Sequence, residues 1–262
     1  MFSLYLECGQ EEKDQLIARL WELGSDGITE SDLPGDRCGL RAFFGDDAQE
    51  PVLAREFAGW SAFCQVEEPR DWVAEARSRL APMSIGARFF LVPEWRDDPT
   101  PPGRLRIVVN PGMAFGTGAH ESTQLCLEAL ERELKPGMTV LDVGTGSGIL
   151  ARAAVLLGAG RVIASDIDPV AVELARLPLS FVGSVDAVCG ASVDLAVANI
   201  SPEAVIALAP QLMRVLRVSG IAIVSGFEAP QVAAVAAALE ASGARVRSPW
   251  AKGAWSALVA DR

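Results

Sequence analysis

The segment "VLDVGTGSG", residues 140–148, decides the fold of most of this 262-residue chain. An apolar strand pattern leads into three alternate glycines, and the helical pattern "ILARAAVLLG" follows directly. The glycines let the backbone turn tightly and approach a ligand without interference from a Cβ atom. A dinucleotide-binding fingerprint needs its third glycine one place later, where this chain has Ile149. The segment therefore predicts a nucleotide-type site on an α/β sheet and disfavours a dehydrogenase.

From residue 122 onward, strand and helix patterns alternate along the chain. The strands "TVLDV", "RVIASD", "LSFV", "VDLAVAN" and "GIAIVSG" are almost continuously apolar, and the helices between them are amphipathic. Such strands are typical of a parallel sheet that is covered on both faces. We therefore predict a doubly wound, Rossmann-like α/β domain over 104–262, closed by a terminal hairpin of "ARVRSPW" and "WSALVA".

The first 66 residues have a different pattern. Four short strands ("SLYLEC", "DGITESD", "CGLRAFF", "SAFCQVEE") and two helices ("QEEKDQLIARLWELG", "DDAQEPVLAREFAGW") follow each other in the order βαββαβ. This order predicts a small ferredoxin-like α+β domain over 1–66. Residues 67–103 are expected to form a linker helix, ended by Pro82, and a hairpin.

Charge and cysteine usage limit the function classes. Residues 1–66 hold thirteen acidic and five basic side chains, so eight of the eleven net negative charges lie there. Such a surface disfavours nucleic acid and favours a basic partner, although simple solubility is the alternative. Five scattered cysteines and a single histidine favour reduced thiols in a cytoplasm over a disulfide frame or a metal centre. We expect no signal peptide and no membrane span.

Polar residues at the ends of the predicted strands are candidates for the site. Asp166 closes the second strand of the α/β domain, 22 residues after Gly144, where an acid can accept both hydroxyls of a ribose. Asp168, followed by Pro169, is a natural helix N-cap. Asp142 lies beside the glycine turn, where its carboxylate suits a cationic ligand group better than a pyrophosphate.

Asn199 ends the fourth strand and should face the same crevice as Gly144 and Asp166. Its amide, together with the backbone carbonyl of the adjoining Ile200, offers acceptors to the N–H groups of an amine. These two residues are the candidate catalytic groups. The alternative is that Asn199 only satisfies the backbone of its loop.

A second glycine-rich segment, "NPGMAFGTGAHESTQL" at 110–125, precedes the nucleotide-binding strand and carries no lysine after its glycines, so it is not a Walker loop. Thr123 lies in the first turn of the following helix, where its hydroxyl and amide can reach a ligand carboxylate, and Ser122 is the candidate N-cap. Phe115 is a candidate pocket wall. His120 is either a general base or a residue that organises its loop.

Together, these residues resemble the class I methyltransferases. The segments "NPGMAFGTGAHESTQLCLEAL", "VLDVGTGSGIL", "SDIDP", "VANI" and "VSG" resemble the ribosomal protein L11 methyltransferase family (PrmA) over about residues 104–231. The resemblance implies S-adenosylmethionine as cofactor, with Thr123, Gly144, Asp166 and Asn199 in the family's cofactor positions. Gly146, Phe115 and Asp142 complete the predicted set of cofactor contacts.

The resemblance also implies a substrate and one alternative. The family trimethylates lysine ε-amines and the α-amine of one large-subunit ribosomal protein, which its N-terminal domain grips. The segment "ARLPLSFVGSVDAVCG", residues 175–190, is shorter than the family's adenine side, and Ser184 and Asp186 are its candidate base contacts. A catalytically weakened cofactor-binding module therefore stays an alternative, as does a methyltransferase for another protein or a small amine.

Overall fold

The structure is a computed structural model that describes residues 2–35, 37–45, 53, 55–60, 62–66, 81–109 and 120–262. The chain divides into two compact units, Met1–Arg79 and Leu80–Arg262. Among the residues so described, no helix is long and apolar enough to span a bilayer.

The first unit contains a four-stranded antiparallel sheet in the order β2-β3-β1-β4. Its elements are β1 (Phe2–Gly9), α1 (Gln10–Glu22), β2 (Gly27–Leu33), β3 (Arg37–Phe44) and β4 (Phe63–Val66). Alternate apolar residues of β1 and β3 form a core with Leu16 and Leu20 of α1. This arrangement confirms the small antiparallel domain. The second predicted helix falls mostly outside the described residues, where 53, 55 and 56 are helical.

The second unit opens with a three-stranded sheet of β5 (Met83–Ile85), β6 (Phe89–Pro93) and β7 (Leu105–Val109). Strands β5 and β6 form an antiparallel hairpin, whereas β7 pairs with β6 in the parallel direction. The predicted linker helix lies outside the described residues, except at its last positions, 81 and 82. The proposed domain limits at 66 and 103 stay a prediction.

The rest of the second unit is the predicted doubly wound domain. Its helices are α2 (Glu121–Glu133), α3 (Ile149–Leu156), α4 (Pro169–Ala175), α5 (Pro202–Val215) and α6 (Val232–Ala241). Its strands are β8 (Thr139–Val143), β9 (Arg161–Asp166), β10 (Ser180–Val182), β11 (Val193–Asn199), β12 (Leu216–Glu228), β13 (Arg245–Val246), β14 (Trp250–Lys252) and β15 (Trp255–Asp261). The sheet order is β10-β9-β8-β11-β12-β15-β13, and β14 also pairs with β15.

Strands β8 to β12 are parallel, and β15 runs antiparallel between β12 and β13. In β11, Leu195 and Val197 pack into the core on one face, while Ala196 and Ala198 pack into the core on the other. Both faces of the sheet are therefore covered, which explains the almost continuous apolar strands. The predicted pairing of the two C-terminal segments is confirmed, but β15 also joins the main sheet through β12.

The start of α2 differs from the prediction. The helix begins at Glu121, and His120 occupies the N-cap position, where its carbonyl accepts a hydrogen bond from the amide of Gln124 at 3.1 Å. The expectation that Ser122 is the N-cap was therefore wrong. Its side chain lies inside the first turn, and its hydroxyl lies 2.8 Å from Nδ1 of His120.

Candidate functional site

A cavity of about 930 Å³ lies in the second unit at the carboxyl ends of β8, β9 and β11. After β10 the chain returns to the other side of β8, so the strand order reverses between β8 and β11. Open α/β sheets bind ligands in the crevice at such a reversal. The lining residues include the predicted Thr123, Gly144, Gly146, Asp166, Asn199 and Ile200. One cavity thus brings together six of the eight predicted site residues, while Phe115 lies outside the described residues.

The glycine turn is fastened to the neighbouring strand. The amides of Gly144 and Thr145 both donate to the carbonyl of Ser165 in β9, at 2.9 and 3.0 Å. Gly144 has a φ of +71°, and a Cβ atom there would collide with Cγ2 of Ile200. Position 144 therefore requires glycine both for its backbone conformation and for the close approach of Ile200.

Asp142 is fully buried beneath this turn and is not among the residues that line the cavity. Its Oδ2 accepts hydrogen bonds from Oγ1 of Thr145 at 2.7 Å and from the amide of Ala151 at 3.1 Å. Burial raises the pKa of this carboxyl to about 6. These contacts tie strand, turn and helix α3 together, and a direct contact of Asp142 with a cofactor stays a prediction.

Asp166 is held at the end of β9 by backbone amides. Its Oδ2 accepts from the amide of Gly146 at 2.9 Å, and its Oδ1 accepts from the amide of Asp168 at 3.0 Å. Each carboxylate oxygen has a second lone pair, so both oxygens can still accept from a pair of ribose hydroxyls. The N-cap role of Asp168 is confirmed, because its side chain accepts from the amide of Val170 at 2.9 Å.

Asn199 is oriented by α2. Its Nδ2 donates to Oγ1 of the buried Thr123 at 3.1 Å, across 76 residues of sequence. This bond leaves Oδ1 of Asn199 as the acceptor for a ligand N–H. The hydroxyl of Thr123 still has its own proton to donate, as the predicted contact with a ligand carboxylate requires.

Ile200 packs between Gly144 and Gly226. Its amide donates to the carbonyl of Ser225 at 3.1 Å. On its other side lies Gly226, which has a φ of +99°. A Cβ atom on Gly226 would lie 2.9 Å from the carbonyl carbon of Ile200 and closer still to the oxygen. Gly226 and Gly144 together therefore determine where the Ile200 peptide lies.

The cavity lining also includes residues that the sequence analysis did not assign to the site, among them Trp255, Ile167 and Leu208. Trp255 and His120 pack edge to face in the cavity wall, with ring centroids 4.3 Å apart. Ile167 and Leu208 also line the cavity, as does Ser184 from the shortened segment; Asp186 is absent from the lining that the described residues form. Trp255 is a single aromatic residue at the start of the apolar strand β15, and nothing in the sequence pattern there indicates a ligand site.

The charge of the wall favours a cationic ligand. Asp166 is the only carboxylate, and neither lysine nor arginine occurs among the lining residues within the described part of the chain. A pyrophosphate would meet no cation here, whereas the net positive charge of S-adenosylmethionine is compatible with a wall in which the described residues contribute one carboxylate, Asp166. The cavity volume is within the range of small-molecule sites. Chemistry and size of the site therefore fit this cofactor.

Comparisons with known proteins point to one family. The sequence profile of the family "Ribosomal protein L11 methyltransferase (PrmA)" matches residues 58–262. A protein named ribosomal protein L11 methyltransferase from Pelobacter propionicus is 42% identical, over 95% of this chain and 93% of its own length. One of the same name from Bacillus cytotoxicus is 32% identical, over 96% of this chain and 87% of its own length.

A solved structure is also similar. The crystal structure of a ribosomal protein L11 methylase from Lactobacillus delbrueckii subsp. bulgaricus superposes with a TM-score of 0.65 and 34% identity. The match covers 70% of this chain and 99% of that one. With its doubly wound sheet, its glycine turn and this cavity, the chain belongs to the ribosomal protein L11 methyltransferase family of S-adenosylmethionine-dependent enzymes.

Proposed function

We propose that this protein methylates amines of ribosomal protein L11, with lysine ε-amines and the N-terminal α-amine as acceptors. Relatives that match almost the whole chain are named for this substrate. The observation that carries the proposal is the placement of Asn199 and Ile200, which lie at the end of β11 in the same cavity as Asp166.

The cofactor is held along the carboxyl ends of three strands. Asp166 binds the ribose hydroxyls, Gly144 and Gly146 allow the backbone to approach, and Thr123 binds the carboxylate near the start of α2. Phe115 and Asp142 remain proposed contacts. When bound, S-adenosylmethionine supplies a methyl group on a positively charged sulfur, which is the electrophile of the reaction.

Asn199 and Ile200 orient the acceptor amine. Because Nδ2 of Asn199 is engaged by Thr123, Oδ1 accepts one N–H of the amine. The carbonyl of Ile200, fixed by Gly226 and Ser225, accepts a second N–H. Two acceptors on one side of the nitrogen point its lone pair to the other side. Such alignment of the reacting groups is a main source of rate enhancement.

The amine must be neutral before it attacks, although lysine amines are mostly protonated near pH 7. The cavity wall offers apolar side chains from several elements, among them Val143, Ile149 and Leu208. Apolar surroundings disfavour an ammonium ion, so the site promotes loss of the proton without a dedicated base.

Residues 1–66 form the substrate-recognition domain in this proposal, and 67–103 connect them to the catalytic domain. Helix α1 exposes acidic side chains to solvent, including Glu11, Asp14 and Glu22. An acidic surface steers a lysine-rich ribosomal protein towards the enzyme and disfavours direct contact with nucleic acid.

Incubation with radiolabelled S-adenosylmethionine and ribosomal proteins from a strain that lacks this gene tests the proposal. Label in the L11 band, lost with Asn199→Ala, is the expected result. Label in a different protein would reassign the substrate. Cofactor binding without any transfer would indicate the catalytically weakened module.

A further inference from the structure

An aromatic pair, Trp255 and His120, forms part of the cavity wall. Trp255 opens β15 and His120 caps α2, and their rings meet at an interplanar angle of 66° with centroids 4.3 Å apart. Nδ1 of His120 lies 2.8 Å from the hydroxyl of Ser122. The imidazole is therefore fixed by the first turn of α2 and braces the indole ring from the side.

The hairpin that carries Trp255 is fastened to the same helix. Lys252 extends its Nζ to Oε1 of Gln124 at 3.0 Å and to Oε1 of Glu128 at 2.5 Å. Gly253, in the turn between β14 and β15, lies close to the side chain of Glu121. These contacts give Trp255 a defined position beside the start of α2.

A continuous chain of contacts connects this pair with the proposed amine site. Asn199 bonds to Thr123, which lies one helical turn after His120. On the other side, Trp255 pairs with Glu228 of β12, and Gly226 of the same strand lies against Ile200. All six of these residues line the cavity: Asn199, Thr123, His120, Trp255, Gly226 and Ile200.

The sheet order separates Trp255 from Asp166, the proposed ribose ligand. Strand β15 is two positions from β11 and four positions from β9. Neighbouring strands are about 4.8 Å apart, so Trp255 lies roughly 10 Å from the line of β11 and roughly 19 Å from that of β9. The indole therefore lies on the side of the amine and not of Asp166.

Repeated methylation changes what the acceptor nitrogen can bind. Each transfer forms one N–C bond and breaks one S–C bond of the cofactor, and the amine releases a proton to solvent before it attacks again. The neutral dimethylated amine that accepts the third methyl group has no N–H left for Asn199 and Ile200, and its trimethylated product carries a permanent positive charge. An aromatic face attracts such a cation without hydrogen bonds.

We propose that Trp255, braced by His120, binds the methylated ammonium head group and thereby determines how many methyl groups the enzyme adds. The inference rests on the proposed amine methylation. Trp255 holds the head group once Asn199 and Ile200 can no longer do so, and the later transfers depend on it more than the first.

The test compares wild type, Trp255→Phe and Trp255→Leu with ribosomal protein L11 and S-adenosylmethionine, read by intact-protein mass spectrometry. The leucine variant should accumulate mono- and dimethylated products, with the trimethylated fraction falling about tenfold, and the phenylalanine variant should stay near wild type. Calorimetric affinity for S-adenosylhomocysteine should be unchanged in both variants, which also shows that they are folded. An unaltered product distribution in Trp255→Leu overturns the inference.

A second measurement does not depend on a folded leucine variant. Wild-type enzyme saturated with S-adenosylhomocysteine should bind free Nε-trimethyl-lysine, and Trp255→Phe, which keeps an aromatic face, should retain most of this binding. No detectable binding to wild type also overturns the inference. Absence of any methyl transfer to L11 by wild type, in contrast, contradicts the proposed function itself, so the two failures are distinguishable.

Discussion

Replacing Gly226 by alanine should lower turnover by displacing the Ile200 peptide, in addition to its cost in stability. Gly226 has a φ of +99°, so alanine there carries a backbone strain of about 1–2 kcal/mol. The new methyl group would also lie 2.9 Å from the carbonyl carbon of Ile200, where ordinary contact begins at 3.4 Å. The Ile200 peptide must therefore move by roughly 0.5–1 Å, a displacement that can reduce a rate by about a hundredfold.

Gly243→Ala is the matched control. Gly243 has a φ of +91°, and no described atom lies within 4 Å of its Cβ position. Both variants carry the backbone strain, but only Gly226→Ala displaces Ile200. Thermal unfolding should therefore show a larger loss of stability for Gly226→Ala than for Gly243→Ala. Steady-state methylation of L11 by the folded enzyme should show a kcat about a hundredfold lower for Gly226→Ala alone. Turnover of Gly226→Ala within about twofold of the control would refute the positioning role.

Four further changes have defined outcomes. Asp166→Ala should weaken cofactor binding about ten- to a hundredfold by calorimetry, through loss of charged hydrogen bonds, and unchanged affinity would remove its ribose role. Asn199→Ala should lower turnover far more than cofactor affinity; surviving turnover would make Asn199 structural. Reversing Glu11 and Asp14 to lysine should raise the KM for L11 at low salt, unlike the same double change at exposed Glu173 and Glu240, and equal effects would exclude steering. Burial raises the pKa of Asp142 to about 6. The protonated carboxyl therefore stabilises the fold fully below the pKa of the unfolded chain, and this stabilisation is lost as pH rises through 6. Unfolding free energies of wild type and Asp142→Asn should therefore diverge by up to about 3 kcal/mol between about pH 4 and 7, and a constant difference would contradict the raised pKa.

The local sequence pattern predicted those features of the site that depend on residues close together in the sequence. The glycine turn, the capping role of Asp168 and the shared crevice of Gly144, Asp166 and Asn199 all follow from strand ends and their order. Ser122 was misplaced as the N-cap because helix boundaries are uncertain by one or two residues, and here its hydroxyl lies against His120 inside the first turn.

Features that depend on pairing between segments far apart in sequence could not be predicted from the local pattern. Trp255 reaches the cavity only because β15 inserts between β12 and β13 and its hairpin is bound to α2 by Lys252. The parallel pairing of β7 with β6 across a proline-rich loop is likewise non-local. The buried position of Asp142 follows from the packing of α3 on the turn, which a motif alone does not show.

A crystal structure with S-adenosylhomocysteine tests the central claim most directly. The ribose hydroxyls should lie within hydrogen-bond distance of both carboxylate oxygens of Asp166, with the sulfur directed towards Asn199 and Ile200. A ligand bound outside this cavity, or with its ribose away from Asp166 and its sulfur away from Asn199, would contradict it.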